Sequence, residues 1–189
     1  MKTNRDGVVL VFFAILFFFG GVQLADCSSS HEYKLTPADN WIVHADGSII
    51  TWDAERLQKV VPFKIIFPKY LPKELNGYPP ELTKMTGANS VTELIIVYQS
   101  SIGSGEVWIE ENDSVTEWAP NKLAKYTYLD IAGVKVLEQQ DYDYVQQSGQ
   151  QVKVSKLEYT WNRDKLSFSV IVTEYDQAEA RKIVESMIK

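Results

Sequence analysis

The sequence predicts an α+β domain, a curved antiparallel β-sheet with helices packed on one face, preceded by an N-terminal hydrophobic anchor helix. Three observations predict it. Residues 7–25 form an apolar run without a charge, about the 20 residues that cross a bilayer core. The second half of the chain alternates apolar and polar residues between polar turns, the pattern of hairpins. The C-terminus carries an apolar stripe at helical spacing.

The elements follow in order. The charged start Lys2 to Asp6 and the run Val8-Val9-Leu10-Val11-Phe12-Phe13 to Phe19 make residues 1–27 a membrane anchor or signal segment. Lys2 and Arg5, with no basic residue just after the run, place the N-terminus inside and the body outside the cytoplasm. A cleaved signal has an apolar core of about 7 to 15 residues, shorter than this one, so an uncut helix leads the readings. The tail Leu24-Ala25-Asp26-Cys27 followed by Ser28-Ser29-Ser30 resembles a bacterial lipobox and its tether, with Asp26 where the pattern has a small residue. That resemblance makes Cys27 a candidate lipidation site. Cleavage with release is the third reading.

Residues 28–50 read as a polar tether, in which Trp41-Ile42-Val43 docks as a short strand. Residues 51–189 read as the extracytoplasmic domain. A helix starts at Thr51 or Asp53, carries Leu57, Val60 and Val61 on one face, and stops at Pro62. Phe63 to Phe67 reads as a short strand ended by Pro68. Leu94 to Tyr98 suits a strand buried on both faces, and Ser100 to Gly105 turns it into a partner carrying Val107 and Ile109. Gly133-Val134 starts a strand running toward Tyr144, which Ser148-Gly149 reverses. The apolar parity of the next strand changes between Val154 and Leu157, so a bulge or break is expected there. Asn162-Arg163-Asp164 turns into the alternating Leu166, Phe168, Val170 and Val172. Asp176 and Glu179 form a capping box for a helix whose face is Ala180, Ile183, Val184, Met187 and Ile188.

Composition narrows the function classes. The net charge of -6 comes without a basic cluster; nucleic-acid affinity rests on clustered Lys and Arg, so nucleic acid is not an expected partner. Cys27 is the sole cysteine, which excludes an intramolecular disulfide and a thiolate metal site. An extracytoplasmic domain without disulfides fits a bacterial or archaeal envelope.

A family resemblance rests on structural motifs. Pro62-Phe63 through Pro68-Lys69-Tyr70-Leu71-Pro72, the pair Gly77-Tyr78, Ile131-Ala132-Gly133-Val134, and the ending from Leu157 to the last helix resemble the bacterial envelope family known as domain of unknown function 4367. The turn Asn162-Arg163-Asp164 lacks the glycine often found there. The resemblance spans about residues 51–189. It implies an extracytoplasmic, usually membrane-tethered module with a fold like that of lipoprotein carriers and sigma-regulatory periplasmic proteins, and it brings no activity.

Candidate chemistry is sparse. His31 and His44 lie in the tether without the paired spacing of a zinc site, and read as solvated. Glu110-Glu111-Asn112-Asp113 with Glu117 lacks the calcium-loop pattern and reads as a solvated loop. Gly103-Ser104-Gly105 reads as a hairpin turn rather than a nucleophile elbow or phosphate loop. Asp141-Tyr142-Asp143-Tyr144 reads as a strand with one wet and one packed face, not as a hydrolytic carboxylate pair. Asn112-Asp113-Ser114 is a glycosylation sequon, meaningful only in a host that modifies such sites. Trp161 reads as core, whereas Trp118, before Ala119-Pro120, reads as core or as a ligand-facing aromatic.

No catalytic residue, cofactor site or metal site is expected. The leading function is a non-enzymatic, membrane-anchored module that binds a partner protein or an envelope lipid. A sensor domain of an envelope-stress or anti-sigma system is the alternative, and a cell-wall enzyme is disfavoured.

Overall fold

A computed structural model describes residues 41–87, 91–100, 105–121, 124–147 and 150–189. The leader, Cys27 and His31 lie outside the described residues. Among the described residues, no helix is long and apolar enough to cross a membrane.

The described strands pair antiparallel in a single sheet of nine. They are β1 (Trp41–Val43), β2 (Ile49–Thr51), β3 (Glu81–Thr86), β4 (Thr92–Gln99), β5 (Glu106–Asn112), β6 (Lys125–Ile131), β7 (Val134–Gln147), β8 (Gln150–Arg163) and β9 (Leu166–Thr173). Their order across the sheet is β1-β2-β3-β4-β5-β9-β8-β7-β6. The helices are α1 (Ala54–Gln58) and α2 (Gln177–Ile188). The chain is therefore mostly sheet, with two helices.

Alternation along the strands assigns one face to the core. Leu82, Ile96, Ile109, Val170 and Tyr159 belong to one row of directly paired residues, and all are buried. They join a cluster with Leu57 of α1 and with Ala180, Ile183, Val184, Met187 and Ile188 of α2, so both helices bury against the same face. Trp161 is buried and stacks on Phe168, with centroids 5.0 Å apart and planes 8° apart. The helical stripe read from the sequence is the one that α2 buries.

Asp53 caps α1 by accepting the Arg56 N–H at 2.9 Å, and Asp176 caps α2 by accepting the Glu179 N–H at 2.9 Å. The Glu179 carboxylate bonds Lys182 and Tyr70, so the second arm of the expected capping box is turned to other partners. The first helix is shorter than its pattern suggested. It ends before Pro62, and Val60 is exposed while Leu57 and Val61 are buried.

Two expected features are corrected. Phe63 to Phe67 is not a strand. Its polar groups bond side chains instead, with Ile65 N–H on Gln58, Phe63 C=O accepting from Gln58, and Ile66 N–H on Glu111. Between prolines 62 and 68 the segment thus acts as a strap over the core. The expected bulge near residues 154–157 is likewise not there, because β7 and β8 keep one unbroken register from Leu137↔Thr160 to Gln147↔Gln150. Val154 and Leu157 are both buried, on opposite faces, since the covered side of the ribbon changes along its length.

Two hairpins close on tight turns. Ala132 and Gly133 take φ of 51° and 83°, and Asp164 and Lys165 take 51° and 69°, the positive-φ pairs that type I′ turns require. Trp41–Val43 pairs with Ile49–Thr51, so the sheet takes in residues that the sequence reading gave to the tether.

Candidate functional site

The second face of the sheet carries the row Glu81, Val97, Trp108, Ile171, Glu158, Gln139 and Tyr126, each paired directly with the next across neighbouring strands. At the β3–β4 end of this row lies an open cleft of about 560 Å³. Trp52, Tyr78 and Pro79 line it, together with Val97, Glu81 and Gln99. Thr51 faces the core in β2, so the next residue, Trp52, is turned to the opposite face as the chain leaves for α1. Tyr78 is 71% exposed and Val97 only 8%, so a solvent-facing aromatic and a recessed apolar residue line the same cleft. Gln99 pairs with Glu106, whose carboxylate accepts the Trp108 indole N–H at 3.0 Å.

Farther along, the segment between β5 and β6 crosses the second face. The Asn162 amide brackets Thr116, donating to its C=O at 2.8 Å and accepting its N–H at 3.3 Å. Thr116 also bonds Ser167 through its hydroxyl at 3.2 Å. Asn121 N–H donates to Gln139 at 2.6 Å. Between these two anchors Trp118 is half-buried, with its indole nitrogen shielded and without a hydrogen-bond partner among the described residues. Trp118 thus lies half-buried in the segment that crosses this face, with its indole nitrogen out of solvent. A polar pocket of about 30 Å³ beside Asn121, walled by Gln139, Asp141, Lys156 and Glu158, is water-sized.

The acidic run is not a solvated loop. Glu110 and Glu111 belong to β5, and Glu111 is fully buried on the core face between Leu94 and Phe168. Its carboxylate is contacted by Ile66 N–H at 3.0 and 3.3 Å. Burial pushes the Glu111 carboxyl up to about 8, against a small opposing pull from Ile66. Glu110 lies on the other face, where burial first, then Glu93 and Glu158, push it up to about 7. Adjacent strand residues point to opposite faces, so these two raised carboxyls cannot act on one substrate as an acid–base pair.

Glu138 is a second fully enclosed carboxylate, 3% exposed. It accepts from Arg181 Nε at 2.8 Å and its terminal nitrogen at 2.9 Å, and from Gln177 at 2.5 Å. Burial alone raises its carboxyl, but the hydrogen bonds from Arg181 and Gln177 bring it below the usual range. This bidentate pair ties α2 to β7 as a structural clamp. Burial first and Glu138 second raise the Tyr159 hydroxyl.

Comparison of the chain with protein families, curated proteins and solved structures finds no match. Residue chemistry alone must carry the site.

His44 is exposed in the β1–β2 turn, and among the described residues no group of three or more His, Cys, Asp or Glu is placed to hold a metal. Gly105 lies beneath the Tyr175 ring, where an added Cβ would come within 2.7 Å; residues 103 and 104 lie outside the described residues. Tyr142 and Tyr144 are exposed rather than packed, and the Lys153 ammonium sits 3.7 Å from the Tyr142 ring centre. The ribbon of β7 and β8 outruns its neighbours there, since β6 stops pairing at Gln140 and β9 at Lys156. Sequence reasoning missed the cleft. Trp52, Tyr78 and Val97 are distant in sequence and share no periodic signal.

Proposed function

We propose that the chain is a membrane-tethered, extracytoplasmic binding module without catalytic activity, which offers the second face of its sheet to a partner protein or an envelope lipid. Residues 7–25 form its anchor helix, with Cys27 as the alternative point of attachment. The observation that carries this reading is the cleft of about 560 Å³ beside Trp52 and Tyr78, within the range of about 300–1,000 Å³ usual for ligand sites. The core face is filled by side chains of α1, α2 and the strap, and the segment between β5 and β6 crosses part of the second face, which leaves the β3–β4 end for a ligand. The apolar run at residues 7–25 supports the location.

The test is to express the full chain in a bacterium, fractionate the cells and weigh the mature protein. An intact mass in the membrane fraction supports the uncut anchor. Loss of the first 26 residues with added acyl chains supports Cys27. Full-length protein in the cytosol overturns the proposal.

A further inference from the structure

We propose that the cleft between Trp52 and Tyr78 is a receptor for the cationic side chain, Lys or Arg, of a partner polypeptide. The inference deepens the proposed function and rests on it.

The cleft has the composition that attracts an organic cation. Two aromatic side chains line it with one carboxylate, Glu81, and no Lys, Arg or His is among the lining residues. Gln99 adds an amide, and its cross-strand neighbour Glu106 brings a second carboxylate beside the site. Ring faces carry negative charge density and favour ammonium or guanidinium groups, most strongly at Trp.

This chain already uses that interaction on itself. Arg56 lies 4.2 Å from the Trp41 ring centre, Lys135 4.2 Å from that of Tyr128, Lys153 3.7 Å from that of Tyr142, and Lys182 5.7 Å from that of Tyr70. Among the described residues, neither Trp52 nor Tyr78 has such a cation from its own chain. Both rings that line the cleft are therefore open to an outside cation.

Charge complementarity selects the source. Anionic phosphate headgroups would meet Glu81 and Glu106 on a chain of net charge -6, whereas a basic side chain meets opposite charge. The row continues from Val97 to Trp108 and Ile171, apolar residues on successive strands about 5 Å apart. An extended segment sets alternate side chains on one face about 7 Å apart. A Lys or Arg in the cleft would therefore put an apolar side chain two positions away onto Trp108.

The experiment uses the full chain in detergent micelles and three peptides: Gly-Lys-Gly-Leu-Gly, the same peptide with norleucine for lysine, and the same with glutamate. Binding is read from the Trp52 indole N–H resonance, assigned by its loss in Trp52→Phe. The lysine peptide should bind roughly tenfold tighter than the norleucine peptide, and the glutamate peptide weakest. Trp52→Ala and Tyr78→Ala should each lose roughly tenfold and Glu81→Gln roughly threefold, with unchanged circular dichroism. Raising salt should weaken the lysine peptide selectively. Equal binding of lysine and norleucine peptides overturns the proposal. So does a Trp52 shift produced by phosphatidylcholine vesicles and not by the lysine peptide, which assigns the site to a lipid headgroup. If no peptide binds while the chain stays membrane-bound, the cation site fails and the tethered module stands. Cytosolic full-length protein would fail the module itself.

Discussion

Replacing Glu111 by glutamine removes an ionisable group from a fully buried position in the sheet while keeping the side chain's length. The wild-type carboxyl, ordinarily near 4.5, is pushed up to about 8 by burial, and the residue is 0% exposed. The folded state therefore holds a proton that the unfolded chain releases at lower pH. The sign follows: this group's contribution is fully present below about pH 4.5, falls between pH 4.5 and 8, and is constant above that. One proton corresponds to about 1.4 kcal/mol per pH unit, so the window amounts to roughly 5 kcal/mol at most. Glu110, pushed up to about 7, adds a fall of the same sign over the lower part of the window. Glu111→Gln should remove one of these two slopes. A buried amide lacking its full set of partners costs about 1–2 kcal/mol, so the variant should be the less stable protein at pH 5 and the more stable at pH 8. Urea unfolding followed by circular dichroism at each pH unit from 5 to 9 measures this. Parallel wild-type and variant curves would refute the placement of Glu111 as a neutral acid in the core.

Other perturbations test other joints. Arg181→Met leaves Glu138, 3% exposed, without its cation; discounted for the 38% exposure of Arg181, the cost is roughly 2 kcal/mol in urea unfolding. In that variant, lowering the pH toward 5 should recover stability as Glu138 takes up a proton, whereas in wild type the lowered carboxyl makes its contribution fade as pH falls below 4.5. The double change Asp164→Asn and Lys165→Gly suits the positive-φ pair of the β8–β9 turn, and should stabilise by about 0.5–1 kcal/mol, read as a higher melting temperature. Phe168→Ala removes the ring stacked on Trp161 in a fully packed site, at a cost of about 3–5 kcal/mol and with a changed near-ultraviolet circular dichroism band.

Local signals read well where local physics decides. The stripe of α2, the alternation of β9 and the run of β4 were legible because the apolar side chains of each pack into the core. Strand β6 was not, because residues 125–128 of an edge strand are exposed and carry no apolar alternation. Strand β3 has one fully buried residue, Leu82, and so little pattern. Phe63 to Phe67 misled in the opposite sense, since its apolar side chains pack while Gln58 and Glu111 take its backbone groups. Glu111 hid inside an acidic run although it continues the alternation of Val107 and Ile109. Trp52 and Tyr78 meet Val97 only through sheet register, a long-range fact that no window along the chain contains.

The order of strands also dictates how the chain must be assembled in time. Strand β9 is the last to be synthesised, yet it sits between β5 and β8 in the interior of the sheet. Val107 waits for Val172, and until then β5 presents a bare edge beside apolar side chains. Such late, distant pairing slows folding and exposes sticky intermediates to neighbouring chains. A nascent chain halted before Leu166 would hold two unjoined half-sheets, which makes the final two dozen residues the keystone of the domain rather than its trimming.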